Sequence, residues 1–224
     1  PQGTNNGLID TDVGTLAASA GTGSLFINEA NALVIGSVAA IDVERVLNSA
    51  TTTVQTGVVL ATTTAAQDVI VQAGNGITVS SAVTATADDL LLSALGGDLA
   101  INAAVNAGDD ASLLASANIT QAAAGDVTVG GTLDVHAQGG NITMTDGALS
   151  DAAGNIRYLA TGNVTLGGLD GANVRVQAGG AIIDGGDSHV DVTATTAQLV
   201  AGTSVGEPQG TNNGLIDTDV GTLA

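Results

Sequence analysis

Apolar residues recur along this chain in a short alternating pattern that returns about every twenty residues. Its form is apolar-x-apolar-x-Ala, then three or four residues, then one more apolar position. It reads Val69-Val71-Ala73 with Ile77, Leu90-Leu92-Ala94 with Leu99, Ala111-Leu113-Ala115 with Ile119, and Leu133-Val135-Ala137 with Ile142. It continues as Ile156-Tyr158-Ala160 with Val164, Val174-Val176-Ala178 with Ile182, and Ala197-Leu199-Ala201 with Val205. Leu16-Ala18-Ala20 with Leu25 fits the same form. The alanines from Ala73 to Ala201 lie 21, 21, 22, 23, 18 and 23 residues apart. Strict alternation predicts strands with one buried face, since a helix would need apolar steps of three and four.

Strands returning at this interval fit a meander or the coils of a solenoid, and residue identity at fixed offsets separates the two. In a meander successive strands reverse direction, so like residues need not recur at one offset. In a parallel solenoid equivalent positions stack about 4.8 Å apart and form ladders. The residue before the second strand is Asp98, Asn118, Asn141 and Asn163 in turn, and the residue before the first is Asp68, Asp89, Asp110, Thr132, Asn155, Asn173 and Thr196. Stacked Asn and Asp side chains close turns and bond along the pile. The outward positions Asp134, Arg157 and Arg175 place an acid one coil from an arginine. The pattern predicts an all-β parallel β-helix with coils of about twenty residues, elongated into a rod, with right-handed coiling the expected hand. Residues 30–67 are less regular, which suggests two broad coils or one coil with a protruding loop.

A longer repeat overlies the short one. Pro1 to Ala17 reads PQGTNNGLIDTDVGTLA, and Pro208 to Ala224 reads the same, an offset of 207 residues. Residues 1–207 are thus expected to be one tandem unit and 208–224 the start of the next. On a continuous rod the two segments are expected to occupy equivalent places, a whole number of coils apart. At about ten coils each, a copy would add roughly 50 Å to the rod. Neither end carries a polar capping segment, so the solenoid is expected to continue in both directions.

Composition sharpens this picture without changing it. Hydrophobic residues make up 44% of the chain, but Phe26 and Tyr158 are its only aromatics. A core of Ala, Val, Leu and Ile suits many short, thinly packed strands. Pro1 and Pro208 are the only prolines against 32 glycines, so Gly, Asn and Asp must make the turns. Arg45, Arg157 and Arg175 are the only Lys or Arg residues, and the net charge is −19. Such a surface repels nucleic acid and attracts divalent cations. The absence of Cys excludes a disulfide framework and thiolate metal sites. No apolar run approaches the roughly 20 residues of a membrane-spanning helix.

The densest candidate chemistry is acidic. Asp68, Asp89 and Asp110 should stack in consecutive coils, with Asp88 and Asp109 beside two of them. Like charges about 5 Å apart need compensation. Calcium held by these carboxylates and by turn carbonyls is one reading, and solvated turn residues are the other. Ser188, His189 and Asp191 resemble a hydrolytic set only in composition, because adjacency on a strand turns Ser188 away from the other two. His136 should be a surface residue without a partner at metal-ligand spacing. The Thr84-x-Thr86 and Thr193-x-Thr195 pairs are too few for an ice-binding array. Asn118-Ile119-Thr120, Asn141-Ile142-Thr143 and Asn163-Val164-Thr165 match the glycosylation acceptor pattern, but their regular recurrence reads as a structural ladder. No cleft of clustered acids and bases of the polysaccharide-cleaving kind is expected, so the chain reads as a non-enzyme.

Beyond these patterns, GTLAASAGTGSLFINEANALVIGSVAA (Gly14 to Ala40) resembles the conserved stretch of giant repetitive bacterial surface adhesins. The runs DLAINAAVNAGDDASLLASANITQAAAGDVTVGGTLDV and GNIRYLATGNVTLGGL are similar to their coils and to filamentous-haemagglutinin-like repeats. The resemblance covers nearly the whole chain and transfers no catalytic residue. It implies an exported, extracellular or cell-surface fibre acting in adhesion, aggregation, biofilm or sheath formation. The expected neighbours are identical repeats end to end in one chain, with lateral self-association and surface glycans as further candidates. A repeated glycan- or Ca²⁺-binding module is the alternative, and a β-helix carbohydrate-active enzyme the weaker one.

Overall fold

A computed structural model describes residues 7–207 and 214–224. The chain is an all-β solenoid of about 10 coils, stacked through parallel strands with a turn of about 22 residues and no helix among the described residues. Each full coil has three faces. The first carries five-residue strands such as Val69–Ala73, Leu90–Ala94, Ala111–Ala115, Leu133–Ala137 and Ile156–Ala160. The second carries Leu33–Ile35, Ile77–Val79, Leu99–Ile101, Ile119–Gln121, Ile142–Met144, Val164–Leu166 and Ile182–Asp184. The third carries Thr63–Ala65, Val83–Ala85, Val105–Ala107, Val127–Val129 and Leu149–Ala152.

Registry between coils follows the alternation residue by residue. On the first face Val71, Leu92, Leu113, Val135, Tyr158, Val176 and Leu199 form one column, and Ala73, Ala94, Ala115, Ala137, Ala160, Ala178 and Ala201 the next. On the second, Leu33, Ile77, Leu99, Ile119, Ile142, Val164 and Ile182 stack in order. These columns point inward and are buried at nearly every coil. Burying one Val, Leu or Ile side chain contributes about 1.5–3 kcal/mol, so repetition rather than any single large residue stabilises the core. Alanine recurs where the first face turns toward the second, and a small side chain leaves room for the inward residues of the other faces.

The first coils differ from the pattern read in the sequence. Leu25–Glu29, not Leu16 to Ala20, continues the first face, with Leu25 opposite Val69 and Ile27 opposite Val71. Leu16 lies on the second face against Ile35, and Ala20 on the third against Ala65. Alternation alone fits both placements, and the larger Leu25 and Ile27 fill the core column better than alanines do. Of the two readings of residues 30–67, one coil with a protrusion is correct. Leu33–Ile35 and Thr63–Ala65 are ordinary coil strands, while residues 36–62 leave the rod. There Val43–Val46 and Thr52–Gln55 form an antiparallel hairpin above a Val38–Leu60 bridge.

Corner length shapes the other end. Between the third and first faces the corner occupies 86–89, 108–110, 130–132 and 153–155, then only 172–173 and 195–196. With two residues left, the strands Gly168–Ala178 and Val192–Ala201 run straight through, and the first and third faces merge into one sheet.

The repeated segments do not occupy equivalent places. Ile9–Thr11 stacks on the first face against Ile27–Glu29, and Thr15–Leu16 on the second. In the second copy Thr218 and Val220 stack on the third face against Val192 and Ala194, and Thr222 and Leu223 on the first against Thr196 and Ala197. The expectation of a whole number of coils is therefore corrected: both portions are displaced by one face. Residues 1–6 and 208–213, the remainder of the two segments, lie outside the described residues.

Candidate functional site

The acidic column stacks as its spacing requires, and backbone amides supply the compensation. Asp68 Oδ1 accepts the Asp89 N–H at 3.4 Å, and Asp89 Oδ1 accepts the Asp110 N–H at 3.1 Å. Asp110 Oδ1 accepts both the N–H and the hydroxyl of Thr132, at 2.7 and 3.0 Å. Asp68 Oδ2 also accepts the Ser24 hydroxyl. Each carboxylate thus carries the corner hydrogen bond to the next coil, an oriented amide dipole in place of a counter-ion. Asp88 and Asp109 sit beside this column, with the Asp109 amide donating to the Asp88 carbonyl.

The Asp98–Asn column does the same at the opposite corner of the first face. The Asn118 amide and carboxamide donate to Asp98 Oδ1, the Asn141 N–H to Asn118 Oδ1, the Asn163 N–H to Asn141 Oδ1, and the Ala181 N–H to Asn163 Oδ1. Gly140, Gly162 and Gly180 permit these bonds, since a Cβ on any of them would collide with the Asn oxygen of the coil below. The three Asn-x-Thr tripeptides therefore sit on a structural ladder. Further outward, Arg157 grips Asp134 through Nε and Nη2 at 2.8 and 2.7 Å, which realises the expected acid–arginine pair between coils.

A groove of about 640 Å³ runs along the corner between the third and first faces, across five coils. Asn155, Asn173, Thr196, Arg157, Arg175 and Gln198 are among its lining residues. Its polar groups are mostly engaged: Asn173 donates to Asn155, Thr196 to Asn173, and Arg175 to Gln177 Oε1.

One polar network lies in the core, with a residue from each face. The Tyr158 hydroxyl lies 2.7 Å from Ser150 Oγ and 3.2 Å from Gln121 Oε1, and Gln121 donates to the Leu149 carbonyl. Burial pushes the Tyr158 phenol far above its ordinary range, only partly offset by the Ser150 bond, so it stays neutral. Sequence pattern gave no hint of this group, because Tyr158, Ser150 and Gln121 occupy ordinary inward positions of three separate strands.

The Ser188, His189 and Asp191 set does not converge. The Ser188 N–H donates to Asp146 Oδ1, His189 packs beside Gly168, and Asp191 Oδ2 accepts the Asp217 N–H. His136 lies outward in the column between Leu114 and Leu159. Among the described residues, no three Asp, Glu or His side chains are grouped as metal ligands, and no helix is long and apolar enough to cross a membrane. The chain matches no protein-family model, and comparison with curated proteins and with solved structures returns no match either.

Proposed function

We propose that the chain is a stalk or fibre segment of an exported bacterial cell-surface adhesin or extracellular filament, and not an enzyme. The observation that carries this reading is the recurrence of an identical seventeen-residue stretch at 207 residues, in a chain whose coils stack through parallel strands. A parallel stack has no closed end: each coil presents a strand edge on which another can build. An exact long repeat on such a template extends length without demanding new contacts. The acidic surface keeps neighbouring rods apart in solution, and the absence of Cys removes a mispairing hazard during export.

Electron microscopy of chains carrying one, two and three copies of residues 1–207 tests the reading. Rod length should rise by a constant increment of roughly 42 Å per copy rather than about 50 Å, because the second segment follows the first by nine coils less one face at a strand spacing of about 4.8 Å. Strings of separate globules, or equal lengths, would refute it. A repeated glycan-binding module is the second reading, favoured by the groove across five coils, with Arg157, Arg175 and Gln198 along it. Glycan-array binding lost on Arg175→Ala would support that module over a passive stalk.

A further inference from the structure

The corner between the second and third faces is irregular near the end of the repeat. It spans residues 145–148 in one coil, residue 167 alone in the next, and 185–191 in the one after. Gly167 and Gly168 leave a notch, and the long loop folds down over it. A Cβ on Gly168 would lie 2.9 Å from the His189 Cβ, and the Ser188 N–H reaches Asp146 Oδ1, two coils below, at 3.1 Å. Gly186 makes the bend at φ +145°, which L side chains rarely adopt.

An aspartate stands at each end of this loop, and each uses only one of its oxygens. Asp184 Oδ1 accepts the Gly186 N–H at 2.7 Å, and Asp191 Oδ2 accepts the Asp217 N–H at 2.8 Å. The second oxygen of each, Asp184 Oδ2 and Asp191 Oδ1, is buried without a hydrogen-bond partner. Asp191 is only 1% exposed. A buried carboxylate oxygen with nothing to bond is costly, and two in one corner call for a common explanation. The surroundings make matters worse: burial first, then the charges of Asp184, Asp217 and Asp187, push the Asp191 carboxyl up to about 7 despite the Asp217 amide. Asp146 and His189 complete the charged groups of the corner.

We propose that Asp184 and Asp191 bind a divalent cation, Ca²⁺ by its chemistry, which clasps the two ends of the 185–191 loop. Calcium accepts six to eight oxygen ligands in flexible geometry and takes carboxylates, backbone carbonyls and water together. Two carboxylates supply the charge, and carbonyls and water complete the shell. Magnesium demands a stricter octahedron that a loop corner does not supply. The cation gives both unpartnered oxygens a ligand bond and removes the repulsion between their charges. This site is distinct from the Asp68, Asp89 and Asp110 column, whose Oδ1 atoms already accept amide or hydroxyl hydrogens. The inference stands on this corner alone and does not depend on the stalk reading.

The test is thermal unfolding of the whole chain in CaCl₂ against chelator at matched ionic strength, with amide exchange across 185–191 measured in both. Calcium should raise Tm by about 5 °C and slow exchange in the loop. Both effects should vanish in Asp191→Asn and in Asp184→Asn, which keep the amide-accepting oxygen, and persist in Asp89→Asn. Should one of the two variants not fold, the other decides. No calcium effect, an effect equal in the loop variants and the parent, or one abolished by Asp89→Asn would each overturn the proposal. A loop stabilised only by lowering the pH would overturn it too, and would assign a shared proton to the two oxygens.

Discussion

Glu29 stands in a column where every later coil of the first face has alanine, and it shows how one residue fixes a register. Its side chain turns inward opposite Ala73 and is 1% exposed. Its Oε2 accepts the Thr11 hydroxyl at 2.6 Å and the Val13 N–H at 3.0 Å, and Oε1 accepts the Asn31 N–H at 3.2 Å. Burial pushes its pKa up, but these hydrogen bonds outweigh it and hold the group below the ordinary 4.5. A carboxylate with a lowered pKa stabilises the fold above that ordinary value and loses the contribution as pH falls through the folded one. Amide exchange at residues 9–16 is therefore expected to accelerate below about pH 4.5 before the central coils respond. Glu29→Gln should accelerate it at neutral pH, at a cost of about 1–3 kcal/mol. Equal acid sensitivity along the whole rod would contradict this. The ladder glycines make a second residue-scale case. Gly162→Ala drives a methyl into Asn141 Oδ1 and should cost about 1–3 kcal/mol by thermal melting, whereas Ala at Gly23, with open space around it, should cost little. In the core, Tyr158→Phe removes one hydroxyl but leaves the Ser150–Gln121 bond, so a loss of about 0.5–1.5 kcal/mol is expected.

Among elements, the corner between the second and third faces absorbs the irregularity of the chain. The hairpin excursion 36–62 leaves the rod there and the loop 185–191 folds back over the coils below, while the strands on either side keep register. The hairpin contributes little to the core: Ile41, Val43, Val46, Val54, Val58 and Val59 are all exposed. Replacing residues 38–60 with a short Gly/Asn turn should change Tm by only a few degrees while raising solubility, because an exposed apolar hairpin favours association. A collapse of the circular-dichroism melt would mean that the hairpin nucleates the stack. The third face was not legible as an element. Ile77 to Val83 and Leu99 to Val105 repeat one offset, but the next corners, 122–126 and 145–148, break it. Three-residue strands carry too little alternation to be read through such variation.

At the scale of the molecule, the two copies of the repeated segment are held by different carboxylates. Glu29 fixes Thr11 and Val13 on the first face, and Asp191 fixes Asp217, the counterpart of Asp10, at the entry to the third. A displacement by one face means that each copy adds a whole number of coils less one face. In a two-copy chain the second hairpin should then project about a third of a turn around the rod from the first, as solenoid geometry carries a per-repeat rotation. Antibody fragments against the hairpin, imaged on that chain, would show it. Labels on the same side would mean that the second segment resets to the first copy's place when a full copy follows.

The sequence by itself determined the columns. Alternation, alanine spacing and the Asn and Asp positions are local signals repeated many times, and parallel stacking admits one register that superposes them all. It also placed Asp134 beside Arg157 and grouped Asp68, Asp89 and Asp110 correctly. Only the tertiary structure decided which of two alternating segments, Leu16 to Ala20 or Leu25–Glu29, enters the first face. It alone brought Asp184 and Asp191 together at one corner, joined Tyr158 to Ser150 and Gln121 across the core, and displaced the second copy by a face. These outcomes depend on corner length and on which buried carboxylate finds a backbone amide, and both are settled by contacts between coils rather than by any period along the chain.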